Sequence, residues 1–297
     1  MAGYGLLSPA LLIMVAMLAL PIAALVLLSF WRQSGYTLDT TLTGANYARI
    51  FGLSDSPTVW MGIPFYLAYP VPVILLIKSL MMSLTATVTV IPLAYPMAYF
   101  IAFRVRSGKS IWILLLTIPF WTSYLLRVFA WKIMLGYTGA INSGLMALGI
   151  IHHPLDALLY NSGAVTVVLA HSWVSFAVLP IYVSLEKIDR SLLEAASDLG
   201  DTRWQRFRRI TLPLSMPGVI AAALMVFIPT VGDYVTPTLI GGSGGSMVGN
   251  LIQDLFMKRN NAPMGAAVAI VMMAVIALIA LLFVWLTGYH KMRARRR

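Results

Sequence analysis

Apolar and polar positions along this chain fall in blocks. Six runs of predominantly apolar residues extend from roughly Ser8 to Phe30, Val73 to Phe103, Ile111 to Leu135, Ser162 to Leu185, Met216 to Ile240 and Met264 to Thr287. About 20 such residues in helical form cross the hydrocarbon of a bilayer. The runs are too long and continuous for the alternating strands of a membrane barrel, and a helix satisfies its own backbone in lipid. The pattern predicts an all-α membrane protein of six transmembrane helices in a single membrane domain. The first run lacks a basic leader and ends in Ser29-Phe30-Trp31, so it is expected to be an uncleaved span.

The polar blocks between the runs have their own organisation. The longest, Trp31 to Pro72, contains Thr43-Gly-Ala-Asn-Tyr-Ala-Arg-Ile-Phe51, a candidate short interfacial helix capped by Thr43. Tyr36, Tyr47, Trp60, Tyr66 and Tyr69 suit the aromatic belt of a membrane surface. Gly136 to Asn161 reads as ordered turns with one short helix, and Gly241-Gly-Ser-Gly-Gly-Ser246 as a flexible loop. That glycine loop lacks the Lys-Ser/Thr end of a phosphate-binding loop. Pro92 and Pro96 in the second run, Pro119 in the third, and Pro229 and Pro237 in the fifth are expected to kink their helices. Several such kinks in one bundle favour a pathway through it.

Composition agrees with the blocks. The chain has 297 residues, of which 60% are hydrophobic and 10% charged, and its mean hydropathy is +0.85; soluble domains carry roughly a quarter charged residues. The net charge of +11 raises nucleic acid as a partner, but its placement removes that reading. Arg104, Arg106 and Lys109 follow the second run. Lys187, Arg190, Arg203, Arg206, Arg208 and Arg209 follow the fourth, and Lys291, Arg293, Arg295, Arg296 and Arg297 follow the sixth. The other loops hold only Arg32, Arg49, Lys258 and Arg259, with Lys78, Arg127 and Lys132 near helix ends, where Arg127 and Lys132 are expected to snorkel outward. This positive-inside bias places both termini in the cytoplasm. With no cysteine, disulfides and thiolate chemistry are excluded.

The loop from 186 to 215, between the fourth and fifth runs, is longer and more structured than a connection requires. Ser191-Leu-Leu-Glu194 and Thr202-Arg-Trp-Gln205 both read as capping boxes, and Gly200 as a left-handed helix end. Two short helices are expected, Leu192 to Leu199 and Arg203 to Ile210, stopped by Pro213. On the first, Leu192, Ala195, Ala196 and Leu199 share one face, flat enough to lie in a partner's groove. On the second, Trp204, Phe207 and Ile210 oppose Arg206, Arg208 and Arg209, which suits a lipid interface. Glu194 reads either as a cap or as a contact with a partner.

Glu194-Ala195-Ala196, three residues, Gly200, nine residues, then Ile210-x-Leu212-Pro213 resembles the signature loop of permease subunits of bacterial binding-protein-dependent ABC importers. Phe227-Ile-Pro-Thr-Val-Gly-Asp-Tyr-Val-Thr-Pro-Thr-Leu-Ile-Gly-Gly242 is similar to the corresponding span of spermidine/putrescine permeases of the first-subunit type. The resemblance implies the MetI-like fold of type I importers. It also implies a second, related permease subunit, two ATPase subunits that bind ATP and Mg, and an extracytoplasmic substrate-binding protein. This chain itself would carry no cofactor, metal or catalytic residue. Glu194, Ala195, Ala196, Leu199, Gly200, Ile210, Leu212 and Pro213 would then form the ATPase-coupling loop, and the cargo would be a polyamine or another small solute such as an opine, an amino-acid derivative or ferric iron.

Asp233 is the one acid well inside a run, where an unpaired charge is costly. With Tyr234, and Trp121, Tyr124 or Tyr95 as aromatic faces for a cation, it is a candidate for the substrate path. The alternative is that it pairs structurally or caps a broken helix. His152, His153 and Asp156 read as a solvent-facing loop, and His171 as a bundle hydrogen-bonding group. An autonomous secondary transporter using Asp233 is the second class of function, and it leaves the capped loop without a role. An intramembrane enzyme is the third. The chain has neither a Gly-x-Ser-x-Gly elbow nor a His-Glu-x-x-His pair.

Overall fold

The computed structural model describes the backbone from Ala2 to Ala294 and the side chains from Ser8 to Trp285. The basic group Lys291, Arg293, Arg295, Arg296 and Arg297 lies outside the described side chains. The chain divides into two compact units, residues 1–77 with 248–279 and residues 78–247 with 280–297. Two long helices, α3 and α12 below, contribute to both.

The first unit begins with α1 (Ala2–Ser29) and continues through two antiparallel hairpins separated by a short helix. These are β1 (Arg32–Ser34) with β2 (Thr37–Asp39), α2 (Ala45–Phe51), and β3 (Leu53–Trp60) with β4 (Ile63–Leu67). Helix α2 folds back onto the end of α1. The Asn46 amide donates to the Ser29 and Trp31 carbonyls at 2.8 and 2.9 Å, and the Ser29 and Tyr47 hydroxyls are 2.7 Å apart. The interfacial helix is present as expected, though Gly44 holds the cap position; Thr43 accepts from the Ala45 amide at 3.2 Å. The hairpins are additional to the expected architecture. Their strands are short and mostly exposed, so they lack the alternating burial that reveals a strand in a sequence.

The second unit is built on α3 (Val71–Phe103), α4 (Lys109–Thr117), α5 (Tyr124–Leu135), α6 (Ala140–Ala147), α7 (Ser162–Glu186), α8 (Arg190–Asp198), α9 (Arg203–Arg206) and α10 (Leu212–Val231). One core cluster joins Ala94, Ala98 and Ala102 of α3 to Ala177, Ile181 and Leu185 of α7 and Ala222 and Val226 of α10. Small residues let membrane helices approach closely, which substitutes for the absent hydrophobic drive between them in lipid. Gly218 shows how closely: a Cβ there would collide with the Pro180 carbonyl oxygen and the Ser184 side chain of α7. Helices α11 (Val248–Met257) and α12 (Ala262–Ala294) complete the chain.

Among the described residues five helices are long and apolar enough to cross a membrane, or up to six if the bent pair formed by 109–121 and 124–147 is one span. That pair covers the residues of the expected third span, and its 81° bend is a break where a kink was expected. Pro119 sits at the start of a 3-10 turn over Ile118–Trp121, and Thr122 is extended before α5 begins, so the helical ladder is lost for several residues. The fifth span is also interrupted. Helix α10 ends at Val231, and a π turn over Pro237–Gly241 follows the gap. By contrast α3 carries Pro92 and Pro96 without interruption, since an isolated proline frees only one carbonyl per turn.

Candidate functional site

Two places in the second unit gather the residues of interest. The first is the loop after α7. Helix α8 begins two residues earlier than expected because Asp189, not Ser191, is the cap: its carboxylate accepts from the Ser191 amide at 3.0 Å. Either residue type caps well, and aspartate adds a negative charge at the positive end of the helix. The same hydrogen bonds hold the Asp189 carboxyl below its ordinary range. Glu194 is therefore no cap. It is exposed, and its carboxylate has no hydrogen-bond partner among the described residues.

Helix α8 ends as expected. Gly200 has φ +87°, with its amide on the Ser197 carbonyl and the Asp201 amide on the Ala196 carbonyl, both at 3.0 Å. A side chain there would strain the left-handed turn. The expected partner-facing face divides. Leu192, Ala195 and Leu199 are exposed, Leu199 at 88%, whereas Ala196 is buried against its own chain.

The Thr202–Gln205 capping box is present, with bonds of 3.3 and 2.7 Å. Beyond it, two expectations are corrected. Pro213 does not stop the second helix. Residues 203–231 form one continuous helical rod in which α9 passes through a π turn, Phe207–Thr211, into α10, and Pro213 occupies the first turn of α10. The widened turn already departs from the ordinary hydrogen-bond ladder, so the proline ring is accommodated. Phe207 faces the core rather than lipid, packing edge-on against Tyr95 at 5.7 Å and near Tyr99. Trp204 stays 68% exposed, stacked on Phe207. Of the signature residues, Ile210 is half-buried, and Leu212 and Pro213 begin the membrane rod.

The loop is tied to the bundle at its base. The Ala102 carbonyl at the end of α3 accepts from Lys109 at 3.0 Å and from Arg190 at 3.4 Å, and Lys109 pairs with Glu186 at 2.8 Å. Arg206 reaches back to the Leu193 carbonyl at 3.3 Å, fixing α9 against α8.

The second place surrounds Asp233, in the gap after α10. The residue is 9% exposed. Its carboxylate accepts from the Val235 amide at 2.8 Å, the Thr236 amide at 3.4 Å, the Thr236 hydroxyl at 2.7 Å and the Tyr124 hydroxyl. It thus caps the turn that follows the break, as a buried carboxylate must be satisfied to persist. Tyr124 is the first residue of α5, immediately after the bend, so both broken spans meet in this cluster. The other aromatics of the expected path are set differently. Trp121 is 81% exposed and Tyr234 half-exposed, while Tyr95 bonds Ser215 at 2.8 Å and packs on Phe207 beside the loop.

Beside Tyr124 lies a cleft of about 340 Å³ lined by Phe120, Thr122, Tyr124, Arg127, Trp173 and Phe176, with Ser172. Arg127 does not snorkel. Its guanidinium donates to the Ser172 and Thr122 carbonyls at 3.1 and 3.3 Å, leaving its Nε and the Ser172 hydroxyl without a partner among the described residues. His171 accepts from the Trp131 indole at 3.0 Å, the bundle hydrogen bond expected of it. The glycine loop is ordered into a turn whose Gly244 carbonyl accepts from Lys78 and Ser162. The sequence signals missed here are Thr236, readable three residues after Asp233 as part of a cap, and Arg127 with Ser172, whose pairing is purely tertiary.

Comparison with known proteins agrees with this architecture. Residues 5–296 match the family described as binding-protein-dependent transport system inner membrane component. The chain is 38% identical over 208 residues to the spermidine/putrescine transport system permease protein PotB of Escherichia coli K12, covering 70% of this chain and 75% of that one. It is 34% identical over 244 residues to PotB of Haemophilus influenzae, covering 82% and 78%. A bacterial alginate ABC transporter, solved in complex with an alginate pentasaccharide-bound periplasmic protein, superposes with TM-score 0.67 at 17% identity, covering 98% and 94%. The chain belongs to this family: it is a multi-pass inner-membrane permease with the MetI-like fold.

Proposed function

We propose that this permease is one transmembrane half of an ATP-driven importer for polyamines, the cargo printed in the names of its relatives. ATP and Mg are bound by two separate ATPase subunits, and a second permease and an extracytoplasmic binding protein complete the assembly. Both termini and the loop 186–215 lie in the cytoplasm. The observation that carries the reading is α8. It is a capped helix presenting Leu192, Ala195, Leu199 and a Glu194 without a partner among the described residues to solvent, while Arg190 at its base holds the end of α3. Such a face fits a groove on another protein, and a rigid base transmits what happens there. The test is co-purification of the complex and ATP-dependent spermidine uptake into proteoliposomes. A Glu194→Arg complex that still transports at the wild-type rate would sink the coupling role.

A second cargo has support in the cleft beside Tyr124. A protonated polyamine brings only positive charge and N–H donors, whereas Arg127 sets a fixed positive charge beside that cleft. A solute with an oxyanion, such as an opine or an amino-acid derivative, suits that chemistry better. Uptake competition between putrescine and 4-aminobutyrate, which differ by one amine replaced with a carboxylate, decides between them.

A further inference from the structure

The loops proposed to lie outside the membrane carry four basic residues, and two of these are locally neutralised. Arg32 stands directly across the hairpin from Asp39, and Lys258 pairs with Asp254 at 2.7 Å. The remaining two, Arg49 and Arg259, are exposed and have no carboxylate partner among the described residues. They are far apart in sequence yet line the same cavity of about 100 Å³ in the first unit, with Tyr69, Asn261, Leu255 and Met264.

The cavity is built for an acceptor. The Arg49 guanidinium lies over the Tyr69 ring at 5.2 Å, which holds the long side chain in place. The Asn261 carbonyl oxygen is committed to the Met264 amide at 3.2 Å, so the NH2 end of that side chain is left for the cavity. Leu255 and Met264 give it an apolar floor, and no acid lines it. Two uncompensated guanidinium groups around one small pocket repel each other until an anion sits between them. Their planar forks match a carboxylate in particular.

We propose that this pocket receives an aspartate or glutamate side chain of the solute-binding protein when that protein docks on the outer face. The inference rests on the importer reading above and adds the residues and the chemistry of the contact. A binding-protein-dependent permease must be touched on that face, and this is where its charge is unbalanced. The space suits a side-chain carboxylate with its methylenes on the apolar floor, and it is too small for a solute as long as spermidine. Charge of this kind acts mainly on how fast and how selectively partners meet.

The test uses the whole complex in nanodiscs, with ATP hydrolysis titrated against solute-loaded binding protein. For the Arg49→Gln/Arg259→Gln double variant we expect the half-maximal binding-protein concentration to rise about 10-fold, a loss typical of charged contacts that leave a partner unpaired. Basal hydrolysis and the maximal stimulated rate should stay unchanged. Raising salt should weaken docking of the wild type and affect the double variant much less. An unchanged half-maximal concentration, or an equal salt response in both, overturns the proposal. So does a defect seen only with phosphatidylglycerol in the disc and not with phosphatidylcholine alone, which would make the pocket a lipid site. If no binding protein stimulates the wild type and no uptake occurs, the importer reading fails and this one with it.

Discussion

The loop helix α8 and the Asp233 cluster are two ways of holding a carboxylate. Asp233 is buried and met by four donors from its own chain, so nothing more is required of a partner to keep it there. Glu194 stands on an exposed helix with no intrachain bond, beside leucines that water solvates poorly. The first arrangement is satisfied within the permease itself; the second has the open face that the proposed coupling to another protein requires. A polar group in a membrane protein is thus informative by whether its partners lie within the chain.

Substitutions that separate folding from coupling should fall on opposite sides of this contrast. The largest effect is expected at the loop. Leu192→Arg should cut uptake about 30-fold or more, the scale of losing a central interface residue, while the amount of folded permease is unchanged. Uptake into vesicles, with permease quantified in the same membranes, checks this. Asp233→Ala should do the reverse in kind. It leaves the Tyr124 and Thr236 donors unmet, and a melt of purified permease should show a loss of about 2–3 kcal/mol. A wild-type melt for that variant would mean the cluster does not hold the two broken spans together. Thr202→Ala removes half of a capping box and should cost about 1 kcal/mol, confined to faster amide exchange in 203–211. Arg209→Gln loses a solvent-exposed ion pair with Asp201 and should change stability by less than about 0.5 kcal/mol.

Acid sharpens the same contrast at α8. The Asp189 carboxyl is held below its ordinary range by the hydrogen bond it accepts, so its cap is fully formed at neutral pH. Its contribution is lost as pH falls through that lowered value, because protonation removes the acceptor. Protection of the 190–194 amides, measured against the exchange of free amides at each pH, should fall on acidification in the wild type and not in Asp189→Asn.

What was legible in the sequence is what depends on near neighbours. The Gly200 turn and the Thr202 box involve residues within a few positions of each other, and they stand where the spacing puts them, as do the apolar runs that form unbroken helices. The cap of α8 was misread because two capping residues lie two positions apart and local chemistry does not rank them. The break at 118–123 was invisible to hydropathy, since Ile118, Phe120 and Trp121 keep the run apolar while the backbone leaves the helix. Tyr124 and Asp233 are 109 residues apart, and no local rule pairs them. The inward turn of Arg127 depends on where α7 passes, so its setting became readable only in three dimensions.

The π turn at 207–211 has a mechanical consequence. The widened turn takes up about one residue more than an ordinary turn, so the helices on its two sides keep the phase of an uninterrupted helix one residue shorter. The direction in which the loop helices face is therefore geared to the membrane rod by the residue count of one turn. Deleting one residue between Phe207 and Thr211 should close an ordinary α-turn and keep Trp204 near its present bearing, whereas deleting one from the regular helix of α10 would turn one end against the other by about 100°.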